Sequence, residues 1–182
     1  MKAIPSLIFL IMIMITSCSN SNISLDNKQL FDLNWKYNYG KNDLAFQTNF
    51  DDQDWRELDL PHDWSNDEFM PEIHIKSDKE TITEGTAWYR KHFQVPPNWI
   101  KKNIYLGFEG ISPKSKLYIN GVQVEKFQLN NNEISLLHLN TYLNFHGDNV
   151  IAILVEETRR TNNLWKKGTG IYNHVWLFLS GS

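Results

Sequence analysis

The chain has 182 residues, a formal net charge of -3, 41% apolar and 13% aromatic residues, and a single cysteine. This is apolar material for one core of ordinary domain size, too much for a disordered tail and too short, behind a leader segment, for a second core. The 18 Lys and Arg residues form no basic arm, so no nucleic-acid partner is expected, and one thiol excludes an intrachain disulfide framework.

Lys2 supplies a positive start and residues 7–15 an uncharged apolar run, the layout of an export signal. The run falls short of the ~20 residues that span a bilayer. Ile15-Thr16-Ser17-Cys18 then resembles a bacterial lipobox, in which small residues precede a cysteine that becomes the acylated N-terminus. The expectation is an exported bacterial lipoprotein, periplasmic or anchored in the outer membrane. Residues 1–18 are its signal peptide ending at the lipidation site Cys18, residues 19–29 a polar tether, and residues 30–182 a domain held together by its core alone. The plainer alternative is an ordinary signal peptide with an incidental cysteine.

From Phe31 on, short apolar runs alternate with Asn, Asp, Gly and Pro, and no segment carries a long helical period with caps, so the class is all-β. Residues 43–50 do not decide between strand and helix. Asp51, Asp52 and Asp54 lack the spaced ligands and glycine of a calcium loop, which leaves a solvated turn before Trp55. Pro61 holds the chain extended ahead of His62 and Asp63, and Trp64 offers a large apolar face, the composition of an anchored loop packed on the fold. Residues 69–83 are charged and without period, and are expected as a long loop. Over residues 88–95, Tyr89, Lys91, Phe93 and Val95 share one face of a strand and Trp88, Arg90, His92 and Gln94 the other, until Pro96-Pro97 ends the ladder.

Ile104, Leu106 and Phe108 mark the inward face of the next strand, which Gly110 closes. Asn120-Gly121, between Leu117-Tyr118-Ile119 and Val122-Gln123-Val124, supplies the two positive φ angles of a type I′ hairpin turn. Residues 135–143 are again undecided, with Leu136, Leu139 and Leu143 at helical spacing. Residues 150–155 are continuously apolar, as in a central strand covered on both faces, and Glu156-Glu157 fits its solvated end. Residues 175–179 form another such strand. Short strands at near-regular spacing point to an antiparallel two-sheet sandwich. The six histidines show no paired zinc spacing, and neither a metal nor a cofactor is expected.

Three clusters stand out: Phe50-Asp51-Asp52 with Trp55-Arg56 and Leu60-Pro61-His62-Asp63-Trp64, then Ala87-Trp88-Tyr89-Arg90-Lys91 with Phe93, then Gly168-Thr169-Gly170-Ile171-Tyr172-Asn173-His174-Val175-Trp176-Leu177. With Phe108-Glu109-Gly110, Tyr118-Ile119-Asn120-Gly121 and Asp148-Asn149-Val150-Ile151-Ala152 between them, their order resembles the N-terminal sugar-binding domain of glycoside hydrolase family 2, the family of β-galactosidases, β-glucuronidases and β-mannosidases. The resemblance covers most of the chain after Phe31. It implies a jelly-roll β-sandwich of the galactose-binding type.

The resemblance also implies where a sugar is met. Asn163, two residues before Trp165, stands where some β-galactosidases carry an Asp, and Glu84, ahead of Trp88, is nearest in spacing to an Asn that some members present to substrate. A polar loop tip is the plainer reading of both. Trp165, Tyr172 and Trp88 are candidate stacking faces. Family members place two catalytic carboxylates on a barrel, and retaining glycosidases need such a pair ~5–5.5 Å apart. Asn132-Glu133 superficially matches the acid/base context but falls in a polar loop of the sandwich. No catalytic residue is therefore expected. The implied function is the non-catalytic sugar-binding domain of a truncated or split glycosidase. A β-linked glycoside or oligosaccharide is its ligand, a separately encoded barrel its partner, and the membrane is reached through the lipid anchor. The alternatives are a stand-alone carbohydrate-binding lipoprotein and the remnant of an interrupted gene.

Overall fold

A computed structural model describes residues 27–64, 81–125, 134–161 and 168–181, with backbone alone at 81–84, 135 and 158–161. The signal segment with Cys18, the tether up to residue 26, the expected loop over 69–80 and Asn132-Glu133 lie outside the described residues. Two antiparallel sheets enclose one core, and no α-helix occurs among the described residues.

The spine is a pair of strands of 14 residues each, β5 (Thr81–Gln94) and β10 (Asp148–Thr161). They pair antiparallel along their whole length, from Gln94 opposite Asp148 to Thr81 opposite Thr161. Around them β2 (Trp35–Tyr39), β3 (Arg56–Leu58), β7 (Ser115–Ile119) and β8 (Val122–Gln123) complete a six-stranded sheet of order β3-β2-β5-β10-β7-β8. The second sheet has the order β1-β12-β6-β9, built from β1 (Lys28–Leu30), β6 (Asn103–Phe108), β9 (Ser135–His138) and β12 (Val175–Ser180). A separate pair joins β4 (His62–Asp63) to β11 (Gly170–Ile171).

Strand parity fills the core. Ile151, Ile153 and Val155 alternate inward on β10, and meet Leu117, Tyr89 and, from the second sheet, Leu106 and Leu177. Ile104, Leu106 and Phe108 face inward as their alternation predicts. Trp64 is fully buried in the same cluster, the anchored position its sequence context predicts. Asn120 and Gly121 have φ of 50° and 81°, the left-handed pair that the hairpin turn requires. Asn120 does more than turn the chain. Its amide nitrogen donates to the Tyr142 carbonyl and its Oδ1 accepts from the Val150 N–H, both at 2.8 Å, tying the hairpin to β10. The two undecided segments resolve into turns at residues 43–49 and into β9 followed by a turn. Residues 81–83, expected within a loop, begin β5, because β10 supplies a partner for each.

The outer face of the six-stranded sheet is covered by the chain itself. Ala45, Phe46, Phe50 and Trp55 pack over Trp88, Ala152, Tyr118 and Leu154. Arg90 lies between these layers with no exposure at all. Its Nε donates to Asp52 Oδ2 at 2.7 Å, and its Nη1 donates to the carbonyl of Ala45 and, at 3.0 Å, to that of Gln47. His92 Nε2 stands 2.7 Å from the same Asp52 oxygen. Asp52 is thus not in a solvated turn. A guanidinium taken wholly out of water needs a carboxylate partner, and that need draws the turn onto the sheet. Glu157 departs from expectation in the same way: it is 7% exposed and accepts a hydrogen bond from Ser112 Oγ at 3.1 Å, because β10 continues to Thr161 beneath the loop that leads into β7.

Burial pushes the Asp52 carboxyl up, but hydrogen bonds from Arg90 and His92, and their charges, outweigh it and hold the group below its ordinary value of 3.8. A carboxylate with a depressed folded-state value contributes stability that is complete above the unfolded value and is lost as pH falls through the folded one. Urea unfolding should therefore show this contribution at neutral pH and its loss only below about pH 4. Asp52→Ala should lower unfolding free energy at pH 7 by about 3 kcal/mol, since it strands a buried Arg90.

Candidate functional site

Beyond Gly85 and Glu157 the β5–β10 ladder continues as a two-stranded ribbon, with no third strand beside it among the described residues. This ribbon ends at Thr81 and Thr161, where the chain enters residues 162–167. The chain returns at Gly168 into a tightly bonded frame. Thr169 donates its N–H to Asp63 Oδ1 at 2.9 Å, and the Thr169 carbonyl accepts from the Trp64 N–H at 3.1 Å. Gly170 donates to Ser112 Oγ at 2.9 Å, while Ser112 donates its own N–H to the Gly170 carbonyl at 2.9 Å. The Ser112 hydroxyl passes the chain of bonds on to buried Glu157.

Aromatic packing completes this end. His62 Nδ1 and the Tyr89 hydroxyl are 2.7 Å apart, with Tyr37 against the His62 ring. Tyr39 packs on Trp64 at 5.3 Å between centroids. Gly170 has φ of +96°, and a Cβ there would overlap the Tyr89 hydroxyl and come within 3.0 Å of the His62 carbonyl. Only glycine fits, for both conformation and space. The carboxylates at this end, Asp63 and Glu157, serve the chain's own N–H and O–H groups. The arrangement holds the chain in place at Thr169 and Gly170. Among the described residues no group of His, Cys, Asp or Glu is placed to hold a metal ion.

The sequence-derived candidates distribute unevenly over this geometry. Glu84 stands on β5 opposite Thr158, so it shares the ribbon that leads directly into the segment of Asn163 and Trp165. Asn163 and Trp165 themselves lie outside the described residues, as does Cys18. Trp88 is 3% exposed and enclosed by the covering loop and Tyr118, leaving no ring face open to a ligand. Tyr172 is half-buried beside the frame, in the turn between β11 and β12. Sequence reasoning missed Ser112 altogether, since an isolated serine before a strand carries no signal. It also missed the Asp63 contact with Thr169, whose partners are 106 positions apart.

A family profile described as the β-galactosidase second all-β domain matches residues 50–161. Among curated proteins, β-galactosidase BoGH2A of Bacteroides ovatus is 34% identical over 91% of this chain and 20% of its own length. A β-glucuronidase of Formosa agariphila is 30% identical over 71% of this chain and 13% of its own. The chain thus spans about a fifth or less of these relatives. Among solved structures, a glycosyl hydrolase family 2 member from Bacteroides cellulosilyticus superposes with a TM-score of 0.69 at 30% identity, over 85% of this chain and 21% of that one. A β-glycosidase from Bacteroides vulgatus gives 0.69 at 29% identity, over 85% and 20%.

Gly170→Ala should destabilise the protein by about 2–4 kcal/mol through steric overlap and a left-handed backbone, measured by urea unfolding, whereas Gly181→Ala, with nothing near its Cβ position, should stay within about 0.5 kcal/mol.

Proposed function

The chain belongs to glycoside hydrolase family 2, and on that premise we propose that it acts as a non-catalytic sugar-binding domain of an exported lipoprotein glycosidase. The observation that carries this reading is the register of β5 and β10. It puts Glu84 and Thr161, the last residue before the segment 162–167, on one ribbon, and the bonds of Asp63, Ser112 and Trp64 hold Thr169 and Gly170 just after that segment. Residues 162–167, which include Asn163 and Trp165, run between these two points of the fold. Asn163 then serves as a hydroxyl partner and Trp165 as a stacking face for the sugar ring.

The ligand class follows from the relatives, which are named as β-galactosidases and β-glucuronidases. A terminal β-linked galactoside or glucuronide is the corresponding ligand here. The carboxylates described beside the site, Asp63 and Glu157, serve the chain's own N–H and O–H groups, so the role assigned to this domain is binding and not cleavage. Lipidation at Cys18 would hold it at the membrane surface, facing polysaccharide outside the cytoplasm.

Isothermal titration of the purified chain with methyl β-galactoside and methyl β-glucuronide tests this. Saturable heat with one of them is expected, weakened at least about tenfold, or 1.4 kcal/mol, by Trp165→Ala. Chromogenic β-galactoside, β-glucuronide and β-mannoside should show no turnover. Turnover abolished by substitution of one Glu would sink the non-catalytic assignment.

A further inference from the structure

Thr81 and Thr161 form one end of the β5–β10 ladder, and Gln94 and Asp148 form the other. At ~3.3 Å per residue, a strand of 14 residues puts these ends about 40 Å apart. Pro96 and Pro97 stop β5, since neither can donate to a ladder, and one turn of 3₁₀-helix, Pro97–Trp99, carries the chain away. Two cavities lie beside this exit and share Gln94 and Val95 as a common wall. The smaller, of about 100 Å³, reaches between the sheets, with Phe93 on one side, Ile104 and Leu177 on the other, and Phe31 and Trp99 also lining it. The larger, of about 290 Å³, is bounded by Pro97, Ile100, Phe145 and His146.

The walls are held by the fold itself. Trp99 donates its N–H to the Pro96 carbonyl at 2.9 Å, and its own carbonyl accepts from the Lys102 N–H at 2.8 Å. Phe31 is bonded through its N–H to the Val175 carbonyl at 2.8 Å and sets its ring edge-on to Phe93. Asn149, fully buried, clamps the turn that carries Phe145 and His146. Its Oδ1 accepts from the Asn144 N–H at 2.7 Å, and its Nδ2 donates to the carbonyls of Asn144 at 2.8 Å and Gly147 at 3.2 Å. Close-packed interiors leave few such spaces, and a preformed pair with a common wall has the character of a ligand site.

The lining selects the ligand. Among the described residues neither cavity is lined by Lys, Arg, Asp or Glu, so a charged group would enter without a counter-ion, and the ligand is neutral. The smaller cavity is aromatic and aliphatic apart from the Gln29 and Gln94 amides. An enclosed apolar cavity of about 150 Å³ holds benzene, so about 100 Å³ open at one side receives most of a phenyl ring. The larger cavity combines the Phe145 ring with the polar Gln94 and His146, as a ring with apolar C–H faces and peripheral hydroxyls requires. Gln94 Nε2 donates to Asp148 Oδ1 at 2.8 Å, which leaves its Oε1 as an acceptor without a partner among the described residues.

We propose that this cleft is a second ligand site, which takes a neutral glycoside with an aromatic aglycone. The aryl ring enters the smaller cavity and the sugar ring lies in the larger one. The site does not depend on Asn163 and Trp165, which belong to the other end of the ladder.

Isothermal titration in the Trp165→Ala background isolates it from that end, with phenyl β-galactoside, methyl β-galactoside and phenol as probes. Saturable heat is expected with phenyl β-galactoside, and at least about tenfold weaker binding of the other two, each of which fills one cavity only. Val95→Phe, which fills the smaller cavity, and Phe145→Ala should each weaken phenyl β-galactoside at least tenfold, with thermal midpoints showing that the variants are folded. Gln94 is exposed, so Gln94→Ala preserves the fold and should weaken it about threefold. Absence of saturable binding in the Trp165→Ala chain overturns the proposal, as does binding that neither Val95→Phe nor Gln94→Ala alters. Phenol binding as tightly as phenyl β-galactoside overturns the place given to the sugar. The reading of Asn163 and Trp165 is judged separately, by methyl β-galactoside heat in the wild type against Trp165→Ala.

Discussion

The continuous antiparallel pairing of β5 with β10 is the constraint on which the rest of the molecule depends. Each strand is 14 residues long, while their neighbours β2 and β7 have five. Where the sheet is wide, the inward residues of the pair supply the core and its outward residues hold the covering loop. Where β2 and β7 stop, the same ladder goes on alone and becomes the ribbon beneath the candidate site. One pairing register therefore sets both the core and the ribbon that ends at Thr81 and Thr161, and a slip of one residue would invert every side chain along it.

Buried charge organises the outer surface of that ladder. Arg90 carries its guanidinium where water does not reach, and Asp52, two backbone carbonyls and His92 gather around it. Lys91, on the opposite face of the same strand, is also almost wholly buried. Burial holds its ammonium below the usual lysine range against the opposing pull of Asp59, Asp32 and Glu57, while its Nζ donates to the Leu33 carbonyl and sits over the Phe31 ring. Consecutive cations on the two faces of one strand thus pin two different turns. The residues 41–55 turn pinned by Arg90 shields one sheet from solvent.

Alternation told the class, the two faces of β5 and the inward face of β6; a continuous apolar run told a β10 covered on both faces, and local residue chemistry the hairpin at Asn120-Gly121 and the packed place of Trp64. These are local signals, fixed by strand period and by the φ angles a turn demands. Asp52 and Glu157 were misplaced in solvent because a carboxylate in sequence looks the same whether water or a buried Arg90 or Ser112 receives it. The terminal motif is legible as a strand but not as what it is: β11 pairs with β4, and only after a turn at residues 172–174 does β12 enter the other sheet. Trp88 offered an aromatic face in sequence and lost it in three dimensions to a loop beginning over forty positions earlier.

By itself the sequence determined an all-β domain, its principal strands, the inward face at Ile104, Leu106 and Phe108, and its kinship with glycoside hydrolase family 2, since these follow from the order of motifs and from the period of two that any pleated strand imposes. Tertiary structure alone decided which charges are buried, which aromatic rings stay exposed, and that Glu84 and the approach to Asn163 share one ribbon. The reason is physical: burial and register are made by partners distant in sequence, such as Asp63 with Thr169 or Arg90 with Asp52, and no local pattern of residues records where the chain will bring them together.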